Sequence, residues 1–280
     1  MKTLELAGQR IRAFSIGGIE TCFQLPDYNL NLDIGRCPPG AEKQSTLLLT
    51  HGHIDHAAGL PYYVSMRGLL NLSPPRVFAP VESEPVLAEI LRGWARLQSD
   101  SLRCVLTGVA PGESIPLSKE RFARTFRSPH RIACVGYTVF RRIRRLRPDL
   151  VHLPEPAVLE RARQGEQVHV VEERPEVCFP GDTTIEVLER EPTVTTARLL
   201  ILECTFLAPK VSEEKAQRGG HVHFDQLAAR AHHFRNEAIL LTHFSRRHPR
   251  HEIEAAVREK LPASLRDRLH LLLHDDVDAG

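Results

Sequence analysis

Residues 47–63 read LLLTHGHIDHAAGLPYY. An aliphatic run ends in Thr50, and His51, His53, Asp55 and His56 follow at once. The run has the pattern of a strand buried on both faces. In extended backbone, residues two apart project to the same side, so His51 and His53 can grip one ion. Asp55 and His56 come after the chain turns toward a helix, which lets them face a second ion nearby. Imidazole nitrogen and carboxylate oxygen together suit zinc or another borderline divalent metal. A surface histidine cluster would sit in a polar tract, whereas this one sits directly behind a buried-strand pattern. The stretch predicts a metal site at a strand end, where the sheet fixes the backbone and the loop frees the side chains.

Other ligand-type residues occupy similar positions further along. His130 closes ARTFRSPH, Asp182 follows EVCFPG, and His243 ends AILLTH. Alone, each is an ordinary residue; their shared position at strand ends makes them candidates. Five histidines and two aspartates serve two ions if one carboxylate bridges. Asp182, on a glycine turn, is the natural bridge.

The rest of the chain fits an α/β protein. IRAFSI, ETCFQL and YNLNLDIG read as paired strands, RVFAP as another, and AAGLPYYVSMRGLL as a helix with Pro61 in its first turn. EPVLAEILRGWARLQ has apolar residues at helical spacing. In the second half, RFARTFRSPH, CVGYTVF, EVCFPGD, RLLILECTF and EAILLTH read as strands, and FDQLAARAHHF and PRHEIEAAVREKL as helices. One domain of two α/β halves spanning 1–280 is the economical reading. Residues 141–170 stand apart as a short, basic, arm-like insertion, with Arg141, Arg142, Arg144, Arg145 and Arg147 clustered at its start.

Composition excludes little. Lys and Arg total 37 against 35 Asp and Glu, so overall charge does not announce a nucleic-acid binder. No apolar run is long enough to span a bilayer, and the N-terminus lacks a secretory apolar core, so no membrane association is expected. The six cysteines form no C-x-x-C pair, which points to reduced thiols in a cytoplasmic protein.

The H-x-H-x-D-H motif at 51–56 resembles that of the metallo-β-lactamase superfamily. The resemblance implies an α/β four-layer αβ/βα sandwich with two central mixed sheets. PHRIACVGYTV, PGDTT, LECTFL, GHVHFDQL and LTHFSRRH are similar, in order and spacing, to segments of the ribonuclease Z family of tRNA 3′-processing endonucleases. That likeness implies a homodimer that removes the 3′ trailer of precursor tRNA and leaves a 3′-hydroxyl. It implies one ion on His51, His53 and His130, a second on Asp55, His56 and His243, and Asp182 bridging. Zinc is the expected metal, although the same donors accept Mn²⁺ or Fe²⁺. Asp55 would also orient or deprotonate the attacking water, and His221 would help the 3′-oxygen leave. Ser245 and Arg247 would meet phosphate oxygens, and Asp33 would brace the ligand loop.

The chain departs from the family in places. SIGGIETCFQLPDY replaces the usual N-terminal P-x-K-x-R-N-type loop, His248 replaces a terminal tyrosine, and the insertion is short and glycine-poor. Its arginines fall where the family inserts a tRNA-gripping arm, so they are candidate RNA contacts. Two rival readings follow from the departures: a metallo-β-lactamase-fold hydrolase of a small substrate, and a non-catalytic RNA-binding relative.

Overall fold

A computed structural model describes residues 1–273. The first sheet runs in chain order through β1 (Lys2–Leu6), β2 (Gln9–Ile16), β3 (Glu20–Leu25), β4 (Leu30–Leu32), β5 (Thr46–Leu48), β6 (Arg76–Pro80) and β7 (Val105–Val109). The second holds β8 (Ser114–Pro116), β9 (Arg121–Arg127), β10 (Val135–Leu146), β11 (His169–Phe179), β12 (Leu199–Glu203), β13 (Ala238–Thr242) and β14 (Leu269–Leu271). Each sheet is mixed in the same way. Its first four strands pair antiparallel and the remaining strands add in parallel.

The continuous aliphatic runs arise because both faces of the central strands are covered. Leu48 points into the core between the sheets, where Phe23, Leu32, Phe179, Ile201 and Leu240 meet it. Leu47 and Leu49 point the other way, against Leu60, Tyr63 and Leu87 of the outer helices Leu60–Leu69 and Glu84–Gln98. The second sheet alternates likewise. Leu199 and Ile201 face inward, while Leu200 and Leu202 pack outward under Val187, Phe224 and Ile253. Each such aliphatic side chain contributes roughly 1.5–3 kcal/mol when fully buried. The result is the four-layer αβ/βα sandwich of the metallo-β-lactamase fold.

The sheets are also tied together beside the first ligand loop. The Tyr137 hydroxyl donates to the Leu49 carbonyl at 2.9 Å, and the Val135 N–H donates to the Thr50 carbonyl at 3.0 Å. Among the described residues no helix is long and apolar enough to cross a membrane.

Two segments differ from expectation. The helix expected over 57–70 is broken into Ile54–Ala57 and Leu60–Leu69, because Gly59 donates its N–H to the Gly35 carbonyl at 2.6 Å. The arginine cluster at the start of residues 141–170 lies on the continuation of a strand, which sequence alone ended at Phe140. β10 runs on to Leu146 and pairs with β11 back to His169, with the helix Glu155–Arg163 between them. Most of the arginines there meet carboxylates. Arg142 lies 3.7 Å from Glu173, Arg145 pairs with Glu172, and Arg147 holds Asp149 at 2.6 Å and Glu166 at 3.1 Å.

Candidate metal centre

The seven expected ligand residues converge from both sheets. His51, His53, Asp55 and His56 follow β5, His130 lies between β9 and β10, Asp182 follows β11, and His243 follows β13. They form two clusters suited to divalent metal ions. His51 Nε2 lies 3.1 Å from His53 Nδ1, which is 3.3 Å from His130 Nε2. Across from these, His56 Nε2 and His243 Nε2 are 3.3 Å apart, and Asp55 Oδ2 lies 3.6 Å from the former and 3.4 Å from the latter. Asp182 stands between them. Its Oδ2 is 3.7 Å from His51 Nε2, while its Oδ1 is 3.4 Å from both His56 Nε2 and His243 Nε2.

Residues behind the ligands set the protonation of each ring. Asp33 Oδ2 accepts from His56 Nδ1 at 2.7 Å, and the Gly220 carbonyl accepts from His130 Nδ1 at 2.8 Å. The Thr50 hydroxyl donates to Asp33 and accepts from His51 Nδ1 at 2.9 Å. The Thr205 hydroxyl donates to Glu203 Oε2 at 2.6 Å and accepts from His243 Nδ1 at 2.8 Å. Each of these rings therefore carries its proton on Nδ1 and turns a bare Nε2 inward.

Fit to a metal follows from that assignment. His56 Nε2 and His243 Nε2 face each other at 3.3 Å beside the carboxylates of Asp55 and Asp182. That array of carboxylates calls for positive charge at its centre: burial opposes protonation of His56, yet Asp182 and Asp33 raise its basicity well above the ordinary imidazole value. Tetrahedral zinc with bonds near 2.05 Å holds its nitrogen ligands about 3.3 Å apart. The spacing matches, so the residues fit the group.

The electrostatics agree. Burial opposes the charge of Asp182, yet His243 and His56 hold its carboxyl well below the usual range. Burial likewise opposes ionisation of Asp55, and the His243 hydrogen bond and His56 bring it down to about 2. His51 is pushed well below the ordinary imidazole value by burial and by His56, which keeps its ring neutral as a donor.

Backbone geometry is tuned to the same end. Gly181, with φ of +69°, precedes Asp182, and a Cβ there would lie 2.7 Å from Thr50 Cβ. Gly17 also passes too close for a side chain, since its Cβ would meet the His243 carbonyl at 2.8 Å. His243 itself has φ of +62°, a left-handed conformation uncommon outside functional turns. The Gly18 N–H donates to Asp55 Oδ2 at 2.9 Å, so the glycine turn in SIGGIE is a wall of the site as well as a hairpin turn.

A pocket of about 250 Å³ opens over the clusters, with His221, Phe206, Ser245 and Arg247 in its lining. His221 Nδ1 donates to Glu203 Oε1 at 3.0 Å. Burial lowers its basicity, but Glu203 and then Asp182 outweigh that and raise it to about 9. Arg141, Arg142, Arg144, Arg145 and Arg147 are absent from that lining; they lie along and just beyond the β10–β11 hairpin. Sequence reading missed Glu203 and Thr205. Together they join His221, His243 and, through the Thr183 N–H at 3.0 Å, the Asp182 loop.

The chain is 35% identical over 273 residues to tRNase Z TRZ1 of Arabidopsis thaliana, which covers 97% of both proteins. The chain belongs to the tRNase Z family. The chloroplastic tRNase Z TRZ2 of the same plant is 36% identical over 91% of this chain and 73% of its own length. No family model matches the chain. Among solved structures, the metallo-β-lactamase-fold protein YhfI of Bacillus subtilis superposes with a TM-score of 0.62 at 15% identity, covering 94% of this chain and 96% of that one. This tRNase Z family member is a metal-dependent phosphodiesterase, and its two His/Asp clusters are suited to a pair of divalent ions.

Proposed function

We propose that this chain is a zinc-dependent endonuclease that removes the 3′ trailer of precursor tRNA and leaves a 3′-hydroxyl. The observation that carries the reading is the position of Asp182, whose two oxygens address opposite clusters. His51, His53 and His130 would hold one ion and Asp55, His56 and His243 the other, with Asp182 bridging. Bound divalent ions supply Lewis-acid polarisation of phosphoryl oxygens and a nucleophilic water at neutral pH.

The chain's own groups do the rest. Asp55, kept ionised and fixed by the Gly18 N–H, orients the attacking water. His221 gives the proton at Nε2 to the departing 3′-oxygen, because Nδ1 is committed to Glu203. Ser245 and Arg247 sit in the same pocket lining and meet the non-bridging oxygens of the scissile phosphate. The β10–β11 hairpin acts as a short arm on the single catalytic domain. Its ion pairs are solvent-exposed and weak, so RNA phosphates can displace the carboxylates from the arginines.

The protein works in the cytoplasm, which suits its six free cysteines. It forms a homodimer, which would cover apolar side chains exposed on the outer helices, among them Tyr62, Leu69, Trp94 and Leu97. A second reading, a small phosphodiester as substrate, is favoured by the modest pocket over the clusters. The deciding experiment incubates zinc-loaded protein with a precursor-tRNA transcript, cyclic nucleotides and a nitrophenyl phosphodiester, and maps the RNA ends. A single cut at the acceptor stem with a 3′-hydroxyl is expected. Turnover of the small diesters alone would transfer the assignment to the second reading.

A further inference from the structure

A second cavity, about 630 Å³, runs alongside the metal centre and shares His130 and Gly220 with it. Arg127, Arg131 and Arg190 line it. The hairpin arginines are mostly paired with carboxylates. By contrast, among the described residues these three side chains have no ion pair within 4.0 Å, hydrogen bond or ring contact. Two carboxylates also border the cavity. Glu186 is engaged by the Thr184 hydroxyl and the Gln217 amide, which leaves Glu82 as the other.

Three guanidinium groups around one cavity, none held by an ion pair and outnumbering the two carboxylates there, contribute little to stability. They suit a polyanion. Guanidinium remains charged at every working pH and binds phosphate through paired N–H groups. Among the described lining residues there is no Phe, Tyr or Trp, so the groove lacks the platforms on which bases stack. What it offers is charge beside the place where a diester would be cut.

We infer that this groove carries the phosphate backbone of the substrate strand past the metal centre, with Arg127, Arg131 and Arg190 as its contacts. The inference rests on the nuclease reading above and adds to it a binding track on the His130 side, separate from the hairpin. A small diester does not reach the groove, so its turnover reports the metal centre independently.

The test compares wild type with Arg127→Ser, Arg131→Ser, Arg190→Ser and the triple variant, all zinc-loaded. Binding of a precursor-tRNA transcript is titrated across a range of salt, alongside nitrophenyl-diester turnover and metal content. Each lost phosphate contact lowers the log–log salt slope by about 0.7 on a single strand, so the triple variant should lose about 2. The triple Arg→Lys variant should recover most of that slope. Wild-type binding with an unchanged slope in the triple serine variant overturns the groove assignment and leaves the nuclease reading intact. Equal loss of diester turnover or of metal overturns it too, because the arginines would then be supporting the centre itself. Failure of wild type to bind the transcript while it hydrolyses the diester removes the nuclease reading and the groove assignment together.

Discussion

At the residue scale, Asp182 carries the greatest consequence. Its carboxylate is the only group whose oxygens face both clusters among the described residues. Asp182→Ala should lose metal from both positions and abolish hydrolysis, since two cations held close without a shared anion repel. Two metals per chain by elemental analysis, with near-normal turnover, would contradict the bridging role. His221→Ala should keep both metals and slow RNA cleavage roughly 10²- to 10⁴-fold. A nitrophenyl ester should be affected far less, because nitrophenolate departs without a proton. Equal losses on both substrates would make His221 a positioning residue. The ligand residues could be read from sequence because histidines and aspartates directly after apolar strands are conspicuous. Glu203 and Thr205 could not. Glu203 ends an apolar strand with no histidine next to it, and its partner His221 lies 18 residues on.

At the element scale, the loops holding the ligands depend on close packing between strand ends. Gly181→Ala places a side chain at φ +69° and against Thr50, whose hydroxyl orients His51. The left-handed backbone alone costs about 1–2 kcal/mol, and the contact with Thr50 adds to it. Urea denaturation should register a loss of at least that size, and turnover should fall with it. Unchanged values for both would mean that the Thr50 strand end yields easily. The central strands were readable because burial on both faces leaves unbroken aliphatic runs. The four strands that escaped notice, β1, β7, β8 and β14, are the outermost strands of their sheets. Their exposed positions break the apolar pattern: Thr3 and Glu5 of β1 and Val105 and Thr107 of β7 face solvent. The arginine-rich end of β10 escaped for the same reason: an exposed hairpin held by backbone pairing and ion pairs has no apolar alternation to see.

At the scale of the whole molecule, the shared order of the two sheets has a consequence of its own. Each sheet is four antiparallel strands followed by three parallel ones, so the chain uses one architectural plan twice. The plans even match in detail. Asp33 follows the fourth strand of the first sheet and Asp182 the fourth strand of the second, one bracing His56 and the other reaching both clusters. The repetition sets a bracing half beside a bridging half. Neither half owns a complete ion site, because His130, Asp182 and His243 come from one and His51, His53, Asp55 and His56 from the other. Coexpressed as separate polypeptides divided between Val109 and Ser114, the halves should therefore be inert alone and regain metal and turnover only on reassociation. Catalysis here is heterodimeric in logic, performed by two subunits that happen to share a backbone.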